Sequence, residues 1–251
     1  MNIYNLIFLC IAGFLAAFID SIAGGGGIIS VPAYLIAGLP PHITLGTNKF
    51  TSSIASLTSS INFIKSGNCN FKLLKTVAPF TLIGSVLGVK AVLLMDESFL
   101  QPLVLILVLA IGIYTFFSKS LGEKDNFKGF TRKNLLLSVI FGFSLGFYDG
   151  FFGPGTGSFL VFGFISILGF DFLKASANAK VLNFISNISA LITFAISGNI
   201  SYTVGIPVSI FMIIGAKVGT KLAISKGSRL IRPIFIVMSL AVAVKILIEL
   251  I

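Results

Sequence analysis

The sequence is poor in charge. Only 10% of its 251 residues are Asp, Glu, Lys or Arg, against about a quarter in a soluble globular protein. A water-exposed surface cannot be built from so few. Histidine occurs once, at His42, and cysteine twice, at Cys10 and Cys69. One cysteine lies in an apolar segment and the other in a loop, so they fit neither a disulfide framework nor a metal site. His42 sits in a Pro-Pro-His turn with no second histidine or cysteine pair to share a metal or a proton relay. The pattern HExxH is absent, and the single GxSxG match, Gly142 to Gly146, lies inside an apolar run with no second histidine in the chain to serve as its base, which leaves an intramembrane hydrolase without its usual metal or activated nucleophile. The expectation is a chain that is not an enzyme and uses no cofactor or metal. Barrel-like alternation is also missing, and residues 1–5 carry no basic n-region. Residues 3–22 are therefore expected to be a retained membrane helix, not a signal peptide.

What is present is apolar sequence. Hydrophobic residues make up 56% of the chain, and the mean hydropathy is +1.05. Runs from Ile3 to Ile22, Leu73 to Leu94, Phe99 to Phe117 and Tyr202 to Ile224 are each long enough to cross a hydrocarbon core of about 30 Å. Such runs must be helical, because only a helix satisfies its own backbone in lipid. The fold class expected is an all-α, polytopic, multi-pass membrane protein. The net charge of +10 does not indicate nucleic-acid binding, since the basic residues sit mainly in connecting loops, as the positive-inside rule requires.

The one long polar stretch, SKSLGEKDNFKGFTRK at 118–133, divides the chain into a first transmembrane repeat (1–117), a basic cytoplasmic linker and a second repeat (134–251). The halves match at a nearly constant offset. Gly13, Phe14, Phe18, Asp20, Gly24 and Gly26 correspond to Gly142, Phe143, Phe147, Asp149, Gly153 and Gly155, all 129 residues on. From Lys49/Lys180 the spacing is 131, and it holds for Ile54/Ile185, Ser66-Gly67-Asn68/Ser197-Gly198-Asn199, Gly84/Gly215, Gly88/Gly219, Lys90/Lys221 and Pro102/Pro233. Each half reads as a long apolar helix, a glycine-rich break (SIAGGGG or GFFGPGTG), a short apolar segment (Ile28 to Gly38 or Ser158 to Gly169) and three further helices. At about 1.5 Å per residue the short segments cannot span unaided.

Charge sets the orientation. Lys65, Lys72 and Lys75, the five basic residues of 118–133, and Lys221, Lys226, Arg229 and Arg232 belong inside; Asp96-Glu97 and the uncharged 198–203 belong outside. Equivalent loops then face opposite sides, which is the inverted-repeat pattern of secondary transporters. Both termini fall outside.

The glycine breaks are the strongest candidate site. Unwound backbone at membrane depth is tolerated only inside protein or along a cavity, and a short helix beginning at a break aims its positive end at the occupant. Gly24, Gly25, Gly26 and Gly27, with Gly153, Gly155, Thr156 and Gly157, are thus expected to bind an anionic solute near the midplane. Simple close packing of helices is the competing reading. Asp20 and Asp149, just before the breaks, are proton-coupling candidates, because intramembrane carboxylates are costly; the alternative is local capping. Lys49 and Lys180 would draw in or coordinate the anion, or else snorkel to the interface, with Thr47, Asn48 and Asn178 adding hydrogen bonds. The pairs Gly84/Gly88 and Gly215/Gly219, and the ladder Gly142, Gly146, Gly150, read as helix-packing motifs.

These segments also resemble a known family. DSIAGGGGIISVPAYLIAGLPPHITLGTNKF is similar to the first signature of the TauE/SafE sulfite-exporter family, GFYDGFFGPGTGSFLVFGF with AKVLNFISNI to its second, and KGSRLIRP fits as well. The likeness covers nearly the whole chain and is nearest the YfcA-like probable membrane transporters. It implies a bacterial inner-membrane transporter of a sulfur-containing anion such as sulfite or an organosulfonate. Within it, GPGTG replaces a tighter glycine cluster, so the two half-sites are not equivalent. The expected mechanism is proton-coupled alternating access, with a passive anion channel as the nearest rival and an intramembrane enzyme further off. The partners expected are the lipid bilayer and a small anionic solute, not nucleic acid; a homo-oligomer is left open.

Overall fold

The computed structural model describes residues 2–96, 98, 124–127 and 129–227. Within them lie eight helices: α1 (Ile3–Ala23), α2 (Gly27–Ile36), α3 (Pro41–Lys65), α4 (Phe71–Leu93), α5 (Arg132–Phe151), α6 (Thr156–Leu168), α7 (Phe172–Ile196) and α8 (Tyr202–Lys226). No strand occurs among the described residues. Five of the helices, α1, α4, α5, α7 and α8, are long and apolar enough to cross a membrane. The protein is an all-helical, polytopic membrane protein.

Local chemistry sets the helix ends. The Asn70 side chain accepts the Leu73 N–H at 3.2 Å and starts α4. Asp171 does the same for Lys174 at 2.7 Å and starts α7. Thr131 and Asn134 form a reciprocal capping box that opens α5, so the last two residues of the 118–133 stretch are already helical. Each of these caps satisfies one of the orphan amides of a first turn. As expected from the glycine breaks, α2 and α6 are short, at 10 and 13 residues. The expected Phe99–Phe117 helix, Glu97, residues 118–123 and Lys128 of the linker, Arg229, Arg232, Pro102 and Pro233 lie outside the described residues.

The halves interlock, and their contacts are reciprocal. α1 lies along α8: a Cβ built on Gly215 would fall 2.3 Å from the Phe14 carbonyl oxygen, and one on Gly219 2.4 Å from that of Phe18. α4 lies along α5 in the same way, with Gly84 2.3 Å from the Phe143 oxygen and Gly88 2.1 Å from that of Phe147. These are equivalent residues with the halves exchanged. Both pairs run parallel, since rising numbers on one helix meet rising numbers on its neighbour. The glycine ladder of α5 behaves likewise, with Gly146 against the Thr81 oxygen and Gly150 against that of Ser85, at 2.2 and 2.0 Å. No side chain fits at such separations. The expected packing role of these glycines is what the contacts show, and it matches the use of small residues for close approach in lipid.

α3 and α7, themselves equivalent, run antiparallel through the centre. At one end Thr47 accepts the Ser201 N–H at 2.9 Å. At the other, Asn178 accepts the Asn70 N–H at 2.8 Å. These two bonds are again the same bond with the halves exchanged. α3 is rich in buried Ser and Thr, and it is not apolar enough to count among the five candidate spans. Its hydroxyls are satisfied internally: Ser53 donates to the Lys49 carbonyl and Ser56 to that of Ser52, each at 2.6 Å. Burying them is therefore not penalised as unpaired polar groups would be.

The basic residues gather at one end. Lys65, Lys217 and Lys221 line a common groove, Lys72 lies over the Phe130 ring, and Lys174 pairs with Asp125. Lys90 lies at the opposite end, beside Ile196 and Ser197.

Candidate functional site

The two glycine breaks meet in the middle of the bundle. A Cβ on Gly24 would lie 2.3 Å from the Ser158 nitrogen, and one on Gly27 2.9 Å from Pro154 Cα. Ser158 donates across the junction to the Ala23 carbonyl at 3.0 Å. Gly24, Gly25, Gly153 and Gly155 all have positive φ, the region where an L side chain is strained. The breaks thus have to be glycine twice over, for backbone conformation and for approach.

Beside this junction is a cavity of about 20 Å³, enough for about one water. Gly25, Gly26 and Gly27 wall it from one half, and Gly153, Gly155 and Gly157 from the other. The first turns of α2 and α6, the positive ends of those helices, border it. Asp20, Asn48, Lys49 and Asp149 line it too. The structure therefore brings together most of the residues singled out in the sequence.

It also joins the charges in a way that spacing does not reveal. Lys49 of the first half pairs with Asp149 of the second, Nζ to Oδ1 at 2.9 Å. Lys180 of the second half pairs with Asp20 of the first, Nζ to Oδ2 at 2.6 Å. Each half supplies the counter-ion of the other. The remaining lone pairs are used as well. Asp149 accepts from the Ser186 hydroxyl at 2.6 Å, Asp20 accepts from the Gly26 N–H at 3.1 Å, and Lys49 donates to the Asn187 side-chain oxygen Oδ1 at 3.1 Å. Neutral pairing with every partner present is what makes such buried charges tolerable.

The two pairs are not alike. Lys49 and Asp149 are each only 2% exposed. Lys180 is 1% exposed, but Asp20 is 19% exposed. One cause is visible in the repeat. Ser186, which covers Asp149, corresponds at the 131 spacing to Ala55, so Asp20 lacks the matching hydroxyl and takes a break amide instead.

Not all the expected residues face the cavity. Thr47 and Asn178 hold the starts of α8 and α4 through the bonds described above. Thr156 donates to the Gly153 carbonyl at 2.7 Å and stiffens the second break. Gly24 packs against Gly157 and Ser158. Lys180 stands behind Asp20, with its Nζ 3.4 Å from where a Gly157 Cβ would be. His42 lies far from the cavity, with Nε2 3.1 Å from the Val92 carbonyl oxygen. Sequence reasoning missed Ser52, Asn183, Asn187 and Met212, which also line the site. A signal existed for the asparagines: Asn183 and Asn187 recur at helical spacing from Lys180 and so share its face of α7.

Comparison with known proteins agrees with this architecture. The profile of the family "Sulfite exporter TauE/SafE" matches residues 9–246. The chain is 40% identical to a "Probable membrane transporter protein" of Haemophilus influenzae, over 95% of this chain and 92% of the relative. It is 38% identical to the "Probable membrane transporter protein YfcA" of Escherichia coli K12, over 93% and 86% respectively. The "Probable membrane transporter protein YdhB" of Bacillus subtilis is 24% identical over 86% of this chain. No solved structure matches. With a polytopic helical bundle, broken helices meeting at its centre and a family match along nearly its whole length, the chain belongs to the sulfite exporter TauE/SafE family of membrane transporters.

Proposed function

We propose that the protein is a secondary transporter that moves a small anion, sulfite or an organosulfonate, across the bacterial inner membrane by proton-coupled alternating access. One observation carries the reading: two buried lysines, at the junction of two glycine-broken helices, are each neutralised by a carboxylate from the opposite half.

An incoming anion and an aspartate want the same ammonium. A bare anion must displace a carboxylate that is already in place, and like charges would then share a dry site. Protonating the aspartate removes that competitor and frees its lysine. Anion and proton therefore favour each other's binding, which is the thermodynamic condition for coupling. Asp20 and Asp149 carry the protons in this scheme, and Lys49 and Lys180 hold the anion. The amides at the starts of α2 and α6 add the donors expected at helix N-termini, and Asn48 and the glycines of both breaks shape the pocket. Room for about one water means that the closed form holds no sulfonate, so the pairs must part when one enters.

The reciprocity of the halves supports alternating access. The antiparallel run of equivalent helices α3 and α7, and the gathering of lysines at one end, support an inverted repeat with that end inside. The unequal exposure of the two pairs fits a carrier caught nearer one of its two states, with Asp20 nearer the open side.

The test uses purified protein in liposomes with an internal pH dye, and a panel of sulfite, sulfate, thiosulfate, taurine, sulfoacetate and simple carboxylates. Expected is proton movement driven by one sulfur oxyanion or sulfonate, lost in Lys49→Gln and Lys180→Gln. Asp20→Asn and Asp149→Asn should lose the response to a pH gradient. Anion flux indifferent to that gradient would identify a passive channel, and a response to cations or neutral solutes alone would overturn the anion assignment.

A further inference from the structure

Equivalent positions of the two halves line one surface groove at each end of the bundle, with three lysines in one copy and one in the other. The groove between the ends of α3 and α8 is lined by Lys65, Lys217 and Lys221 with Asn62, Ser66 and Ser225. At the 131 spacing these correspond to Ile196, Val86 and Lys90 with Thr193, Ser197 and Leu94, and all six line the groove between α7 and α4. The fold thus builds the same concavity at both ends of the bundle, of about 560 Å³ in the first copy and about 750 Å³ in the second. In the first, two apolar positions have become lysine.

All three lysines are exposed, and none has an ion-pair partner among the described residues. Among the described residues no acidic side chain lines the groove. Next to the cations the same helices expose apolar side chains: Ile61 and Ile64 on α3, Ile214 and Val218 on α8. Ile61 lies one turn from Lys65, and Ile214 and Val218 lie one turn from Lys217 and Lys221, so these three apolar groups each share a face with a cation. The surface is a cationic head with a hydrocarbon wall beneath it.

We propose that this groove binds an anionic phospholipid, with the headgroup phosphate held by Lys65, Lys217 and Lys221 and an acyl chain along the isoleucines. Basic pockets between membrane helices suit such headgroups. The proposal is independent of the transported solute and of the central cavity. The equivalent groove, with Lys90 as its one cation, is expected to show no such preference.

The experiment measures lipid binding to the purified, delipidated protein by native mass spectrometry, alongside its heating midpoint, with phosphatidylglycerol, phosphatidylcholine and soluble glycerol phosphate as probes. Phosphatidylglycerol should bind and stabilise selectively. The triple variant K65Q/K217Q/K221Q should bind it about 100-fold more weakly, from roughly a factor of five per lysine at a membrane surface. Lys90→Gln should leave binding unchanged. If the triple variant is not monodisperse, Lys65→Gln and Lys221→Gln alone should each weaken binding by about five-fold. Undiminished binding to these variants, equal binding of phosphatidylcholine, or an equal effect of Lys90→Gln would overturn the proposal. Equal stabilisation by glycerol phosphate would assign the groove to a free anion instead of a lipid.

Discussion

Removing one partner of the Lys49–Asp149 pair should be far more damaging than removing both. At 2.9 Å and an effective dielectric near 20, the gross attraction is about 6 kcal/mol, most of it offset by the cost of dehydrating two ions. Asp149→Asn keeps the shape and can still accept from Ser186, but it leaves the Lys49 ammonium 2% exposed without a counter-charge. Breaking a buried pair in this way costs about 3–5 kcal/mol. The Asn187 side-chain oxygen Oδ1, 3.1 Å from Lys49 Nζ, softens the loss toward the lower end. At roughly 2–4 °C per kcal/mol for a chain of this size, the heating midpoint should fall by about 10 °C. Replacing both ions by apolar groups of similar volume, Lys49→Met with Asp149→Leu, removes the stranded charge and should restore the midpoint to within about 1 kcal/mol of the parent, because such swaps are often neutral. Transport should be lost in both variants. The assay is the fraction of protein still monodisperse by size-exclusion chromatography after heating in detergent. A double variant no more stable than Asp149→Asn, or a single variant costing less than about 1 kcal/mol, would refute the reasoning.

Asp20→Asn, at a carboxylate 19% exposed, should cost less, about 1–2 kcal/mol, because water already reaches the Asp20 side of the pair and can accept from Lys180 there, although Lys180 itself is 1% exposed; the same heating assay ranks the two. Gly88→Ala and Gly219→Ala place a methyl 2.1 and 2.4 Å from backbone oxygens of Phe147 and Phe18, so each should destabilise by about 1–3 kcal/mol of overpacking despite a helix-propensity gain of up to about 1 kcal/mol. A midpoint rise in either would contradict backbone-to-backbone contact there. In the loop between α3 and α4, burial pushes the Cys69 thiol up from 9.0 to about 11. Since only the thiolate reacts, maleimide labelling of Cys69 near pH 8 should run about 100-fold slower than at an ordinary thiol and climb roughly tenfold per pH unit; a plateau near pH 9 would show an unshifted group.

The elements of the site were legible because duplication wrote them twice. A single offset paired Asp20 with Asp149, Lys49 with Lys180 and one glycine break with the other, and residues kept through that register stand out from apolar filler. Which lysine meets which aspartate was not legible. The partners lie in different halves, far apart along the chain, and no local periodicity joins them. Reading each pair alone left the aspartates as proton carriers or local caps, whereas in the fold their charge is already spent on lysine. Thr47 and Asn178 were expected at the solute, but each lies two residues before its lysine, about 200° around the helix. They therefore face the neighbouring helix start and not the cavity. The serines of α3 lower its hydropathy, which is why a central helix reads more weakly than those around it.

The crossing of the ion pairs bears on how a carrier of this design avoids leaking. Were each lysine neutralised within its own half, the halves could part without electrostatic cost, and the empty protein could open freely. Here any separation of the breaks pulls Lys49 from Asp149 and Lys180 from Asp20 together, stranding two charges in each half. In the proposed carrier, at about 3–5 kcal/mol for a buried ion left alone, that cost would hold the empty form shut against thermal opening. An anion bound to a lysine and a proton on the aspartate that released it would neutralise both ends of a broken pair. The loaded carrier then loses nothing by opening, and the carrier with anion alone still bears an uncovered carboxylate. On the proposed mechanism, coupling needs no separate gate, because the bonds that join the two repeats are the ones that substrate and proton must replace.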